Sequence, residues 1–119
     1  MEPRFLHQTR SQGGAGFDDL DLALAAGADG PWRVHYHVPL HAAPEPPLVA
    51  TTDVLRAGLA AFVAAPGSRC DHLEVETYTW GVLPPSQRPD GATELAVGIA
   101  AELVWARDAL TELGLKEDL

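Results

Sequence analysis

Short segments with β-strand patterning alternate along this chain with segments of helical periodicity. The strands are predicted at Phe5–Thr9, Arg33–Leu40 and His72–Thr79, and the helices at Phe17–Ala26, Thr52–Ala65 and Thr93–Leu113. Side chains alternate between two faces in a strand and recur about every 3.6 residues in a helix, so each pattern is a local signal. Strands that alternate with helices favour parallel βαβ units, and the sequence therefore predicts an α/β fold.

The length of the chain limits how much of such a fold it can complete. A closed barrel of βα units needs about 250 residues for its eight units. The 119 residues of this chain are enough for about three of them. Three parallel strands leave both sheet edges unpaired and apolar surface uncovered. We therefore expect a piece of a larger domain, with a very small sandwich as the alternative.

The charge balance excludes several classes of partner. Eight Lys and Arg against seventeen Asp and Glu give a net charge of −9, which repels phosphate backbones, so no nucleic-acid partner is expected.

No apolar run approaches the roughly 20 residues of a membrane-spanning helix, so the chain is not expected to be membrane-embedded. The N-terminal residues do not resemble a secretory signal, and Cys70 is the single cysteine. Cytoplasmic localisation is the resulting expectation.

Histidine and glutamate side chains recur at strand spacing. His35 and His37 are two residues apart and are expected on one face, where two imidazoles can share a divalent ion at about 2.0–2.2 Å each. Glu74 and Glu76 repeat this spacing, and carboxylate oxygens complete mixed sites for zinc, manganese or iron. His7 is a candidate for a further ligand. The alternative for inward-facing imidazoles and carboxylates is a hydrogen-bonded polar network.

The loops that follow the second and third predicted strands are long and rich in proline. They cover His41–Ala50 and Trp80–Gly91. In α/β folds the ligand site forms outside the carboxyl ends of the strands, so these loops are expected to border it. We assign contact with a small-molecule substrate to Glu74, His41 and Trp80. The glycine-rich segment Gln12–Gly16 lacks both phosphate-loop patterns and is predicted to be a flexible loop.

Three stretches of the chain resemble a known family. They are Glu-Pro-Arg-Phe-Leu-His-Gln (2–8), Trp-Arg-Val-His-Tyr-His-Val-Pro-Leu-His (32–41) and His-Leu-Glu-Val-Glu-Thr-Tyr-Thr-Trp-Gly-Val-Leu-Pro (72–84). They resemble the C-terminal third of the metabolite-traffic EboE family, in the xylose-isomerase-like TIM-barrel superfamily of sugar isomerases, epimerases and apurinic endonucleases. The resemblance implies that residues 1–119 are a single partial domain, the last three βα units of a TIM barrel.

The resemblance also implies a metal centre and a reaction. A divalent metal (Mn, Zn or Mg) would be held by His7, His35, His37 and Glu76, with His35 standing where the superfamily has an aspartate. Glu76 would act as ligand or general base and His37 would join it in catalysis, in a proton transfer next to a sugar carbonyl. The implied partners are a small-molecule metabolite, the N-terminal portion of the barrel and other proteins of the Ebo pathway.

Two further functions are compatible with the same residues. A non-catalytic small-metabolite binding or carrier protein would use the polar face without turnover, and the His-for-Asp exchange at His35 favours it. A small interaction subunit would instead pair its open strand edges with a partner chain. An enzyme of the sugar isomerase or epimerase type is therefore one expectation among three.

Overall fold

A computed structural model describes residues 5–67, 72–77, 80–81, 83 and 85–116. Its strands are β1 (Thr9–Ser11), β2 (Gly16–Phe17) and β3 (Trp32–Val34), and its helices are α1 (Leu20–Ala26), α2 (Thr52–Ala64) and α3 (Gly91–Glu112), with a 3-10 turn at Pro85–Gln87. The chain is therefore of mixed α/β class, as predicted. It divides into two compact units, the first ending at His37 and the second beginning at Val38.

The first unit contains a three-stranded sheet with β1 in the centre, in the order β2-β1-β3. Thr9 pairs with Phe17 on one side and with Val34 on the other, and both pairings are antiparallel. The connection between β1 and β2 is a tight turn in which Gly14 adopts a left-handed φ of 91°. Ser11 closes this turn by accepting the Gly14 N–H at 3.1 Å. The segment predicted to be a flexible loop is thus the turn of a hairpin.

The predicted parallel arrangement is wrong for this sheet. A connection of a few residues between two paired strands allows only antiparallel pairing, because a parallel pair needs a crossover of a dozen residues or more. The first strand begins only at Thr9, where the sequence predicted its end. Of the second predicted strand, only residues 33 and 34 are in a strand, because β3 covers Trp32–Val34.

The third predicted strand is not formed over residues 72–77, the part of it that the structure describes. Residues 78 and 79 lie outside the described residues. The segment belongs to the second unit, where the described residues include no other strand with which it could pair. Alternating polarity alone does not make a strand, because the backbone N–H and C=O groups need a neighbouring strand.

The helices agree with their predicted bounds to within three residues. Asp19 caps α1 by accepting the N–H of Leu20 at 2.8 Å, so this helix starts later than predicted. Glu94 accepts the backbone N–H of Asp90 at 2.7 Å, which satisfies a donor that the first turn of α3 leaves free. Gly114 follows α3 with a φ of 89°, the conformation of a helix-terminating glycine.

Much apolar surface of the two long helices remains uncovered. No residue of α2 is buried, and in α3 only Glu102 and Ala109 are. Val97 and Leu103 on α3 are exposed by 65% and 53%. Among the helices that the structure describes, none combines the length and the apolar content needed to cross a membrane.

Candidate functional site

A buried carboxylate in the middle of α3 connects distant parts of the second unit. Glu102 is only 2% exposed. Its Oε1 accepts the backbone N–H of Leu40 at 3.1 Å, and its Oε2 accepts the indole N–H of Trp80 at 2.8 Å. A buried carboxylate needs such donors, since its transfer out of water is otherwise costly. Both oxygens of Glu102 are therefore satisfied by groups that lie on other parts of the chain.

The indole of Trp80 lies directly against the backbone of α3. A Cβ atom placed on Gly98 would stand 2.5 Å from Cη2 of this indole, far inside van der Waals contact. Gly98 and Glu102 are one turn apart on the helix, so they meet the same side chain. The ring is thereby held by packing along one side and by a hydrogen bond at its nitrogen.

His41 and Trp80, both assigned above to substrate contact, lie close to each other. Their ring centroids are 6.3 Å apart, with an angle of 32° between the ring planes. His41 is exposed and Trp80 is half-buried. Together they present an indole face and an imidazole at the surface of the second unit. We call these two side chains the His41–Trp80 pair.

Glu74, the third residue assigned to substrate contact, has a histidine as its neighbour. Oε2 of Glu74 lies 3.9 Å from Nε2 of His72, and both side chains are about 80% exposed. An exposed pair at this distance interacts weakly because water screens the charges. Glu76 is also exposed and belongs to the same segment.

In the first unit, His7 is buried next to a carboxylate. Its backbone N–H donates to Oδ1 of Asp19 at 3.0 Å, and its Nδ1 lies 3.4 Å from the same oxygen. This Nδ1 is buried without a hydrogen-bond partner. The backbone N–H groups of His7 and Leu20 hold the pKa of Asp19 below its ordinary value of 3.8. Two donors on one carboxylate stabilise its charged form.

The ring of His7 packs on Tyr36, with the centroids 4.5 Å apart. Burial raises the pKa of Tyr36 above 10.0, and the negative charge of Asp19 raises it further. Both effects favour the neutral phenol. His7, Asp19 and Tyr36 therefore form one cluster at the end of the sheet.

His35 and His37 form a second cluster in the first unit. Their ring centroids lie 4.9 Å apart, and Nδ1 of His35 is 3.2 Å from Oε1 of Gln8. The ladder continues past β3, since the N–H of His35 donates to the carbonyl of Gln8 at 2.9 Å. Adjacent positions along an extended segment face opposite sides. This places Tyr36, with His7, on one side and His35 on the other.

The metal expected from the resemblance can be tested against these clusters. Two neighbouring imidazoles match the chemistry of a divalent zinc or manganese ion, and they would supply two of the usual four zinc ligands. His35 and His37 fit this role. Within the described ranges, no three His, Cys, Asp or Glu side chains are grouped so that they could hold a metal. His7 is packed with Tyr36, and Glu76 belongs to the other unit.

The sequence interpretation missed Glu102 and Asp19. A signal existed for both. Glu102 lies in the middle of the predicted third helix, on the face that contains Gly98, Trp105 and Ala109, and a charge among apolar residues is costly unless it is paired. Asp19 immediately precedes the first helix, where a carboxylate is a favoured N-cap.

The arrangement in the second unit can bind a ligand through two kinds of contact. An indole face packs against apolar C–H groups, and an imidazole donates or accepts a hydrogen bond. Comparisons with protein-family models, with curated proteins and with solved structures found no match for this chain.

Proposed function

We propose that this chain is the small-metabolite-binding part of a metabolite-traffic protein of the EboE kind. The observation that carries the proposal is the His41–Trp80 pair, with its ring centroids 6.3 Å apart. The indole is fixed by Glu102 at 2.8 Å. Ligand sites commonly combine aromatic side chains with a few placed polar groups.

The ligand class that fits the pair is a sugar or a polyol. The C–H groups on one side of such a molecule pack on the indole of Trp80, and a hydroxyl group hydrogen-bonds with the imidazole of His41. The net charge of −9 disfavours anionic ligands by long-range repulsion. The resemblance to sugar isomerases and epimerases supports the same class. Glu74 and Glu76 are proposed to contact this ligand in the complete protein.

The complete protein is proposed to be a xylose-isomerase-like barrel, with this chain as its C-terminal portion. The exposed apolar side chains on the long helices support it, among them Val54 on α2 and Val97 on α3. Residues 72–77 would form a strand only when a further strand supplies hydrogen-bond partners for their backbone. The N-terminal barrel portion or other Ebo-pathway proteins are the proposed partners.

A divalent-metal centre is a second candidate function, favoured by one observation. The rings of His35 and His37 lie 4.9 Å apart and fit two ligands of one metal ion. When bound, such a metal would polarise a carbonyl or hydroxyl oxygen of the substrate. His35 and His37 would hold the metal, which would serve an isomerase or epimerase reaction.

Titration with two neutral probes, D-xylose and xylitol, tests ligand binding. We expect the chemical shifts of the His41 ring and the Trp80 indole to change with either probe. His41→Ala and Trp80→Phe should each weaken binding about tenfold, the loss of one good polar or stacking contact. His72→Ala is the matched control, because His72 is an exposed histidine of the same unit. No shift change with either probe at millimolar concentration would contradict the proposal.

Equilibrium dialysis against zinc or manganese tests the metal centre. We expect binding to the chain that is lost in His35→Ala and in His37→Ala and retained in His72→Ala. Two imidazole ligands without carboxylates give weaker binding than a complete four-ligand site. Equal binding by all four proteins would show that His35 and His37 hold no metal.

A further inference from the structure

We infer that Glu102 is the positioning residue of the His41–Trp80 pair. The inference deepens the proposed function and rests on it for the identity of the ligand. Glu102 does not face the ligand itself, since it is buried to 98% with 2% exposed. It acts through the two groups that it holds.

One carboxylate fixes both members of the pair. Oε2 of Glu102 accepts the indole N–H of Trp80 at 2.8 Å. Oε1 accepts the backbone N–H of Leu40 at 3.1 Å, and Leu40 is the residue directly before His41. Glu102 therefore holds the indole directly and the backbone that leads into His41 through Leu40.

The chemistry of the site requires two acceptors. A carboxylate offers two oxygens that only accept hydrogen bonds. A glutamine at this position would offer one oxygen and one NH₂ group, so that one of the two N–H donors would face another donor. Hydrogen bonds to a charged acceptor are also stronger than those to a neutral one. Glutamine therefore fills the same volume but can hold only one side of the pair.

Gly98 completes the support of the indole. Because residue 98 has no Cβ, the ring of Trp80 can lie against α3, where an added Cβ would be 2.5 Å from Cη2. Packing fixes the plane of the ring, and Glu102 fixes its rotation through the nitrogen. A pre-oriented aromatic face reduces the ordering that ligand binding would otherwise require.

The test uses the full chain labelled with ¹⁵N. The indole N–H signal of Trp80 is assigned by its loss in Trp80→Phe. In Glu102→Gln we expect this signal to move upfield and to exchange with water about tenfold faster, because a hydrogen bond to a carboxylate is replaced. The ring signal of His41 should move as well, since Leu40 and Trp80 cannot both stay in place. Unchanged Trp80 and His41 signals would overturn the inference.

A matched control comes from the same helix. Glu112 is exposed and bonds to Arg56, so Glu112→Gln removes one charge from α3 without touching the pair. Its Trp80 and His41 signals should stay as in the unchanged chain. If Glu102→Gln does not fold, hydrogen exchange with water in the unchanged chain tests the inference instead. The Trp80 indole and the Leu40 amide must both be protected, and solvent-like exchange of either would overturn the inference.

Xylitol titration separates positioning from the proposed function. We expect Glu102→Gln to bind xylitol about tenfold more weakly than the unchanged chain while most amide signals keep their positions. Equal xylitol binding with displaced Trp80 and His41 signals would overturn the positioning role. Absence of binding to the unchanged chain would contradict the proposed function, while the spectra without ligand would still decide whether Glu102 positions the pair.

Discussion

The indole of Trp80 occupies the space that a side chain on residue 98 would need. A Cβ on Gly98 would lie 2.5 Å from Cη2 of the indole and 2.8 Å from Cζ3. Real Cβ atoms do not approach ring carbons so closely, so either the ring or the helix would have to move. The absence of a side chain at Gly98 is thus part of how the His41–Trp80 pair is built.

Gly98→Ala is therefore expected to destabilise the chain and to displace Trp80. In a helix interior, alanine is ordinarily favoured over glycine by about 1 kcal/mol. At Gly98 the clash with the indole should make alanine less favourable than glycine, because a rigid ring cannot move aside like the end of a flexible side chain. Urea denaturation gives the change in free energy of unfolding, and the assigned indole N–H signal of Trp80 reports its displacement.

Gly58→Ala is the control for this prediction. Gly58 lies within α2, and a Cβ there would meet no other atom within 4 Å. The free energy of unfolding of this variant should rise by about 0.5–1 kcal/mol, the ordinary difference between alanine and glycine in a helix. Equal stabilisation by Gly58→Ala and Gly98→Ala would contradict the packing of Trp80 on Gly98.

Asp19→Asn is expected to reduce the loss of stability in acid. The N–H groups of His7 and Leu20 lower the pKa of Asp19 below 3.8. A carboxylate with a lowered pKa stabilises the fold fully above its unfolded value, and the contribution is lost as the pH falls through the folded pKa. Urea midpoints measured between pH 5 and pH 2.5 should decrease less steeply for Asp19→Asn than for the unchanged chain.

The comparison for Asp19 is Asp21→Asn, an exposed carboxylate in the first turn of α1. Asparagine also keeps an oxygen that can cap α1, so Asp19→Asn should retain the helix near neutral pH. If both variants show the same acid dependence, the hydrogen bonds from His7 and Leu20 do not set the titration of Asp19.

Tyr36 is expected to ionise only above pH 10. Burial is the larger cause of its raised pKa, and the charge of Asp19 is the smaller one. The fold therefore favours the neutral phenol, with a contribution that is complete below the unfolded value and lost as the pH rises through the folded pKa. In Tyr78→Phe, where Tyr36 is the only tyrosine left, absorbance at tyrosinate wavelengths measures its titration directly.

Adding Asp19→Asn to the Tyr78→Phe variant separates the effect of burial on the pKa of Tyr36 from the effect of the Asp19 charge. The pKa of Tyr36 should fall only part of the way back to 10.0, because burial remains. A complete return would make charge the main cause. A pKa of Tyr36 at or below 10.0 before Asp19 is changed would contradict the partial burial of its phenol as the larger cause.

Arg56 connects the two long helices, and its removal should have a small effect. Its Nη1 donates to Oε2 of Glu112 at 2.7 Å, and its guanidinium lies 4.7 Å from the centre of the Trp105 ring. An exposed ion pair contributes about 0.2–1 kcal/mol, and an exposed cation–π contact contributes about 0.5–1 kcal/mol. Arg56→Ala should therefore lower the free energy of unfolding by less than about 2 kcal/mol.

Arg56→Lys distinguishes the two contacts. Lysine keeps the charge but not the planar group that stacks on Trp105. We expect Arg56→Lys to lower the free energy of unfolding by less than Arg56→Ala does. In high salt the contribution of the ion pair with Glu112 should decrease before that of the contact with Trp105. A loss larger than that of Arg56→Ala would contradict the assignment of the cation–π contact.

The histidines show how far the site could be predicted. The spacing of His35 and His37 predicted a pair on one side of an extended segment, and their rings lie 4.9 Å apart. The partner of His7 could not be predicted in the same way. It depends on the antiparallel register of β1 and β3, which sets His7 beside Tyr36. The role of Glu102 depends on Leu40, which is 62 residues away.

The sequence by itself determined where the two long helices lie. Thr52–Ala64 and Gly91–Glu112 could be predicted closely, because each helix makes its hydrogen bonds within four residues and its signals are local. Only the tertiary structure decided strand direction, the loss of the predicted strand at 72–77 and the burial of Glu102. Strands bond to segments that are distant along the chain, and a buried carboxylate needs donors from elsewhere in the fold.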